Sequence, residues 1–131
     1  MDADASATRE EVLCVANFKK LEVWEKAHAL SLLSHDIALR IRGAMYASLR
    51  NQIVRASASV PTNIVEGREQ KTDAEFARYL RYALASASEL EYHFISARDI
   101  NVITREDFIA VVAQIKTVRK MLFGLLKRLD T

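Results

Sequence analysis

The sequence is poor in cysteine, proline, glycine and histidine. Its one cysteine, Cys14, excludes a disulfide within the chain and a zinc site built on cysteines. One proline and three glycines in 131 residues leave few helix breakers, which favours long helices with short connections. No apolar run approaches membrane-spanning length. The start, Met-Asp-Ala-Asp, has neither the basic nor the apolar region of a signal peptide, so a cytoplasmic protein is expected. No nucleophile with a positioned base is legible, so the minimum parts of covalent catalysis are missing and a non-enzymatic protein is expected.

What remains is a chain of one-domain length that is half hydrophobic, with a net charge of +2 placed unevenly. The first 17 residues hold Asp2, Asp4, Glu10 and Glu11 against Arg9, which is −3, so the remainder is +5. A mildly basic body behind an acidic segment permits anionic partners without requiring them. Residues 1–16 are expected to form a flexible acidic tail, in which Val12 to Val15 could dock.

Four helical patterns follow. The first runs from about Asn17 to Arg42, with Gly43 as its stop. Val23, Ala27, Leu30, Ser34, Ile37 and Ile41 make one stripe, and Leu21, Trp24, His28, Leu32, His35 and Leu39 make a second beside it. The second pattern runs from about Ala44 to Glu66, with Gly67 as its stop. Pro61 predicts a kink near Ser57, or alternatively a helix end at Val60. The third opens on the capping box Thr72-Asp-Ala-Glu75 and runs to about Ile100. The fourth opens at Thr104, with Asp107 three residues on, and reaches about Leu129. Short links force antiparallel neighbours, so the expected fold is all-α, an antiparallel up-down-up-down four-helix bundle over residues 17–131.

The second pattern carries the most informative residues. Ile53, Ala56, Val60 and Ile64 give it an apolar face. Gln52, Arg55, Ser59, Asn63 and Glu66 repeat at the same spacing on a neighbouring face. A solvated face is normally rich in lysine and glutamate. Gln, Arg, Ser and Asn among small residues are instead the composition of a close helix contact with a satisfied polar network. Gln52, Arg55, Asn63, Glu66 and Glu89, with Tyr82 as a further candidate, are therefore expected to join. The network reads as a device that holds helix register, or else as a ligand or partner pocket.

These residues carry a resemblance. The pattern Q-x-x-R-A-x-x-S-x-x-x-N-I-x-E-G falls on Gln52, Arg55, Ala56, Ser59, Asn63, Ile64, Glu66 and Gly67. Phe18, Leu21, Val23 and Trp24 fit an F-x-x-L-x-V-W opening. Phe76, Leu80, Ala83, Ser88, Glu89 and Leu90 fit the third-helix pattern, with Ala87 where glycine is frequent. Over about Phe18 to Leu129 the chain resembles the four-helix-bundle proteins encoded in intervening sequences of 23S rRNA genes. It also resembles the related accessory protein of diversity-generating retroelements. That resemblance implies a homopentamer and a role as a nucleic-acid-binding scaffold or accessory factor.

Three further groups of residues are candidates. Lys116, Lys120 and Lys127 share a helix face, with Arg119 beside it and Arg128 near the end. They suit phosphate contact, or equally a solvated face whose cations favour the helix C-terminus. Arg40, Arg42, Arg50 and Arg68 add charge near helix ends. Trp24, Leu32 and Leu39, with Tyr79, Tyr82 and Tyr92, form surplus apolar surface and are the expected oligomer interface. Glu25-x-x-His28 has the spacing that carboxylate-bridged metal bundles use twice, but it occurs once here. Glu89 and His93 do not complete the set, and His28 and His35 are two turns apart. No metal or other cofactor is expected. Beside the nucleic-acid reading stand a protein-interaction module and, less favoured, a metal-dependent carboxylate enzyme. Purified protein free of iron, manganese and zinc would exclude the last.

Overall fold

The computed structural model describes residues 21–130. The acidic segment 1–16 and the cap expected at Asn17 lie outside the described residues. Four helices follow: α1 (Glu22–Arg40), α2 (Ala47–Arg68), α3 (Asp73–Asp99) and α4 (Arg105–Leu129), with a 3-10 turn at Ala44–Tyr46 leading into α2. Each helix packs on its neighbours in sequence, and α4 closes against α1. This is an all-α, up-down-up-down four-helix bundle.

The core follows the helical periodicity. Ala27, Leu30, Ser34 and Ile37 of α1, Ile53, Val60 and Ile64 of α2, Leu80, Ala87, Leu90 and Phe94 of α3, and Val111, Ile115, Val118 and Leu122 of α4 are all buried. Ser34 is the polar exception in that stripe, fully buried and without a partner for its Oγ.

The links are fixed by local chemistry. Thr72 Oγ1 accepts from the Glu75 amide at 3.1 Å, and Thr104 Oγ1 from the Asp107 amide at 3.0 Å, so each hydroxyl satisfies an otherwise unpaired N–H at a helix start. Asn101, at φ 62, ends α3. Its amide returns to the Arg98 carbonyl and that of Val102 to Ala97, which satisfies the last carbonyls of the helix. α1 ends at Arg40, two residues before the expected end, because Ile41 is already extended and Gly43 takes φ 107. Arg50 holds this corner, with Nη1 donating to the carbonyls of Ile41 and Gly43, both at 2.9 Å.

α2 departs from expectation at its end. Gly67 does not stop it; the helix continues to Arg68. Gly67 is needed for closeness, since a Cβ there would lie 2.8 Å from Phe76 Cδ1 and 2.9 Å from Tyr79 Cβ. Helix α2 also runs unbroken through Pro61. Side chains brace the turn around the proline: Thr62 Oγ1 donates to the Ala58 carbonyl and Asn63 Nδ2 to that of Ser59, each at 2.8 Å.

Candidate functional site

The polar row of α2 faces α3, as its small residues require. Arg55 Nη2 bonds Glu89 Oε2 across the two helices, and the same nitrogen reaches Gln52 Oε1 at 2.8 Å. His93 Nε2 lies 3.1 Å from the same carboxylate oxygen. One turn further along α2, Ser59 and Ser86 share a hydroxyl bond of 2.8 Å, and Asn63 Nδ2 adds a bond of 3.1 Å to Ser59 Oγ. The hydrogen bond with His93 comes first in holding the Glu89 carboxyl below its ordinary range, followed by the charge of Arg55 and its hydrogen bond; partial burial opposes them.

Two candidates stand apart from this network. Glu66 is exposed, and its carbonyl, not its carboxylate, serves the network's end of α2 by accepting from Gln70 Nε2 at 3.0 Å. Tyr82 instead accepts a bond of 3.0 Å from Arg78 Nη1, and it packs edge-on against Tyr79 with ring centroids 5.5 Å apart. His93 is the member that spacing had left as an incomplete metal ligand. Its position four residues after Glu89 was the available signal. Among the described residues no three His, Cys, Asp or Glu side chains gather closely enough to hold a metal ion.

The arginines near helix ends are mostly engaged in the fold. Arg40 pairs with Asp107 at 2.8 Å, Arg50 caps the α1–α2 corner, and Arg68 lies over the Phe76 ring at 5.7 Å. Arg119 is half-buried and pairs with Glu91 of α3 at 3.3 Å. The α4 lysines differ. Lys116, Lys120 and Lys127 are exposed and make no ion pair among the described residues. Arg128 is exposed at the end of the helix.

Two apolar residues join that face, and reading the sequence by charge missed them. Ile109, Lys116 and Phe123 are seven apart, so they lie along one side of α4. Ile109 and Phe123 are each 55% exposed. With Arg105 they turn the outward side of α4 into a stripe of alternating cations and large apolar groups, about 33 Å from Arg105 to Lys127 at the helical rise.

The expected assembly surface divides into three places. Leu32 and Leu39 are exposed on the outward side of α1. Trp24 is half-buried and stacks on His28, with centroids 5.2 Å apart and planes within 6°. Tyr79 and Tyr82 lie together under Arg78, near the start of α3. Tyr92 is a separate exposed ring beside His93. No helix among the described residues is long and apolar enough to cross a membrane.

Comparison with known proteins agrees with this architecture. None of the curated proteins matches the chain. The crystal structure of a protein of unknown function from the S23 ribosomal protein family of Bacteroides thetaiotaomicron VPI-5482 superposes with a TM-score of 0.75. It is 24% identical, and the match covers 80% of this chain and 98% of the other, a likeness of fold. The family model for the 23S rRNA-intervening sequence protein matches residues 19–124, from just before α1 to near the end of α4. A match over that much of the sequence, on the helices just described, places the chain in the 23S rRNA-intervening sequence protein family.

Proposed function

We propose that this protein is a non-enzymatic, self-assembling scaffold that binds nucleic acid through the outward side of α4. The observation that carries the reading is the exposure of Lys116, Lys120 and Lys127 without ion-pair partners among the described residues. Lysines free of carboxylates neutralise phosphates and release their counterions, a contact that is salt-dependent and largely blind to sequence. Phe123 offers a ring on which an unpaired base of a structured RNA can stack. Arg128 extends the cationic surface, while Arg119 supports α4 from the side through Glu91.

Self-assembly is supported by Leu32, Leu39 and Tyr92, large apolar groups that a lone bundle leaves in water. A closed homopentamer, like that of the retroelement accessory proteins the sequence resembles, would repeat the α4 stripe and add weak contacts through effective concentration. The network of Arg55, Glu89 and His93 is assigned to fold register, because its members satisfy one another across α2 and α3.

A second reading, a protein-interaction module, is favoured by Ile109 and Phe123, since alternating cations and apolar groups also suit an acidic protein surface. Binding of fluorescent structured RNA and duplex DNA, with protein of known solution mass, separates the two. Micromolar or tighter binding to nucleic acid supports the scaffold. No binding at low salt, with the assembly intact, selects the protein-interaction module.

A further inference from the structure

The corner between α3 and α4 holds a hollow of about 400 Å³, an ordinary size for a small-molecule site. Its walls are Arg98, Asn101, Ile103, Arg105, Phe108 and Ile109, with no carboxylate among them. The corner has a defined backbone. Asn101 takes φ 62, its amide and that of Val102 return to carbonyls of α3, and Thr104 caps α4.

The two arginines are equipped differently. The Arg98 guanidinium lies over the Phe108 ring, 4.5 Å from its centroid, and its Nε donates to Asp99 Oδ1 at 2.9 Å. The ring fixes the plane, and the carboxylate offsets the charge. What Arg98 still offers is a flat face, since no second ring stacks on it among the described residues. Guanidinium planes are surfaces on which unpaired bases stack. Arg105 is exposed, and its side chain makes no ion pair or hydrogen bond among the described residues, so it offers a full charge. The side-chain amide of Asn101 is likewise unbonded and can both donate and accept. Ile103 and Ile109 supply apolar edges. An acidic peptide would draw on two free cations, and only one is free here. One flat ring joined to one anionic group fits these walls better, and that is the make-up of a nucleotide. Arg105 also begins the α4 stripe. Lys116 lies about 17 Å further along the helix at 1.5 Å per residue, so a strand whose phosphates follow the lysines passes the hollow.

We propose that this hollow takes one unpaired nucleotide of the strand that α4 holds. The base lies against the free face of Arg98, between Ile103 and Ile109, with Asn101 at its edge, and its phosphate pairs with Arg105. The proposal rests on the nucleic-acid reading of the α4 stripe and adds to it a preference for unpaired strands.

The test separates base from phosphate. Binding is measured for a fluorescent single strand of about 12 nucleotides and for the same strand made wholly of abasic nucleotides, at one salt concentration. The ratio of the two affinities cancels the phosphate contacts that the strands share. In the parent the strand with bases binds tighter by at least about fivefold, the low end for one stacked base. Arg98→Lys keeps the charge and removes the plane, and it lowers that ratio by at least about fivefold. If circular dichroism shows Arg98→Lys unfolded, Ile109→Asp, at an exposed position, carries the same expectation. Equal affinity of the parent for the two strands overturns the proposal and leaves the lysine contacts standing. A ratio unchanged in the folded variant also overturns it, and a ratio that falls only in Phe123→Leu assigns the stacked base to Phe123 instead. Binding of neither strand at low salt ends the nucleic-acid reading and this proposal with it.

Discussion

Arg55 of α2 and Glu89 of α3 meet through guanidinium Nη2 and carboxylate Oε2, 34 residues apart in sequence, and His93 shares the same carboxylate oxygen. The pair is partly exposed, 55% and 37% for the two side chains, so water screens it. Its net contribution is expected to be about 1 kcal/mol or less. A double-mutant cycle with Arg55→Ala and Glu89→Ala, read by urea unfolding, checks this value. Coupling of several kcal/mol would show a pair far better shielded than its exposure implies.

The same carboxylate gives a pH dependence. Glu89 binds its proton less readily in the folded chain than in the unfolded one. The stability it contributes is therefore present above the ordinary carboxylate range, and it is lost as pH falls through the lowered folded value. Glu89→Gln is expected to be less stable than the parent at neutral pH and to approach it in acid. Unfolding curves at a series of pH values test the sign; a difference that widened in acid would contradict it.

Gly67→Ala tests the closeness of α2 and α3. The new methyl group would meet Phe76 Cδ1 at 2.8 Å and Tyr79 Cβ at 2.9 Å, and the second of these lies beside the α3 backbone and cannot swing away. Overpacking of this kind costs about 1–3 kcal/mol, against about 1 kcal/mol of helix propensity gained over glycine. A net loss in thermal or urea stability is expected.

Ser34→Ala should act in the opposite direction. Its Oγ is buried without a partner, and an unsatisfied buried hydroxyl costs about 1–3 kcal/mol. Replacing it by a methyl group among Leu30 and Ile37 is expected to raise the unfolding midpoint. A lower midpoint would mean that the hydroxyl has a bonding partner in solution.

Assembly is assigned to exposed apolar groups, so charge placed there should dissolve it. Leu32→Lys with Leu39→Lys is expected to reduce the solution mass to that of one chain while leaving helix content unchanged, because both side chains point away from the core. Light scattering with circular dichroism reads both quantities. A mass unaltered by the two substitutions would remove α1 from the interface.

Most of the fold was legible because helical periodicity and capping are local signals. Thr72 and Thr104 cap the helices their sequence context indicates, and the stripe through Val23, Leu30 and Ile37 is the buried side of α1. Gly67 was misread because a helix stop and a close helix contact both select glycine, and only the position of Phe76 distinguishes them. Arg55 and Glu89 could be paired from the antiparallel order of α2 and α3, but Tyr82 and Glu66 could not be separated from the network without side-chain direction. On α4 the lysines stood out by charge, whereas Ile109 and Phe123 look like core residues until the buried side is known. Arg119 is indistinguishable from its neighbouring lysines until Glu91 is placed beside it.

The central claim is that the α4 lysines contact phosphate. Its most direct test is the salt dependence of binding to one structured RNA and one DNA duplex, measured for the parent and for Lys116→Gln, Lys120→Gln, Lys127→Gln of equal solution mass. Each lost phosphate contact lowers the steepness of log K against log salt by about 0.9 for duplex DNA and about 0.7 for single strands. The expected result is tight binding at low salt by the parent, with weaker binding and a slope shallower by about 2–3 in the variant. Identical slopes and affinities for the two proteins, or no binding by either, would contradict it.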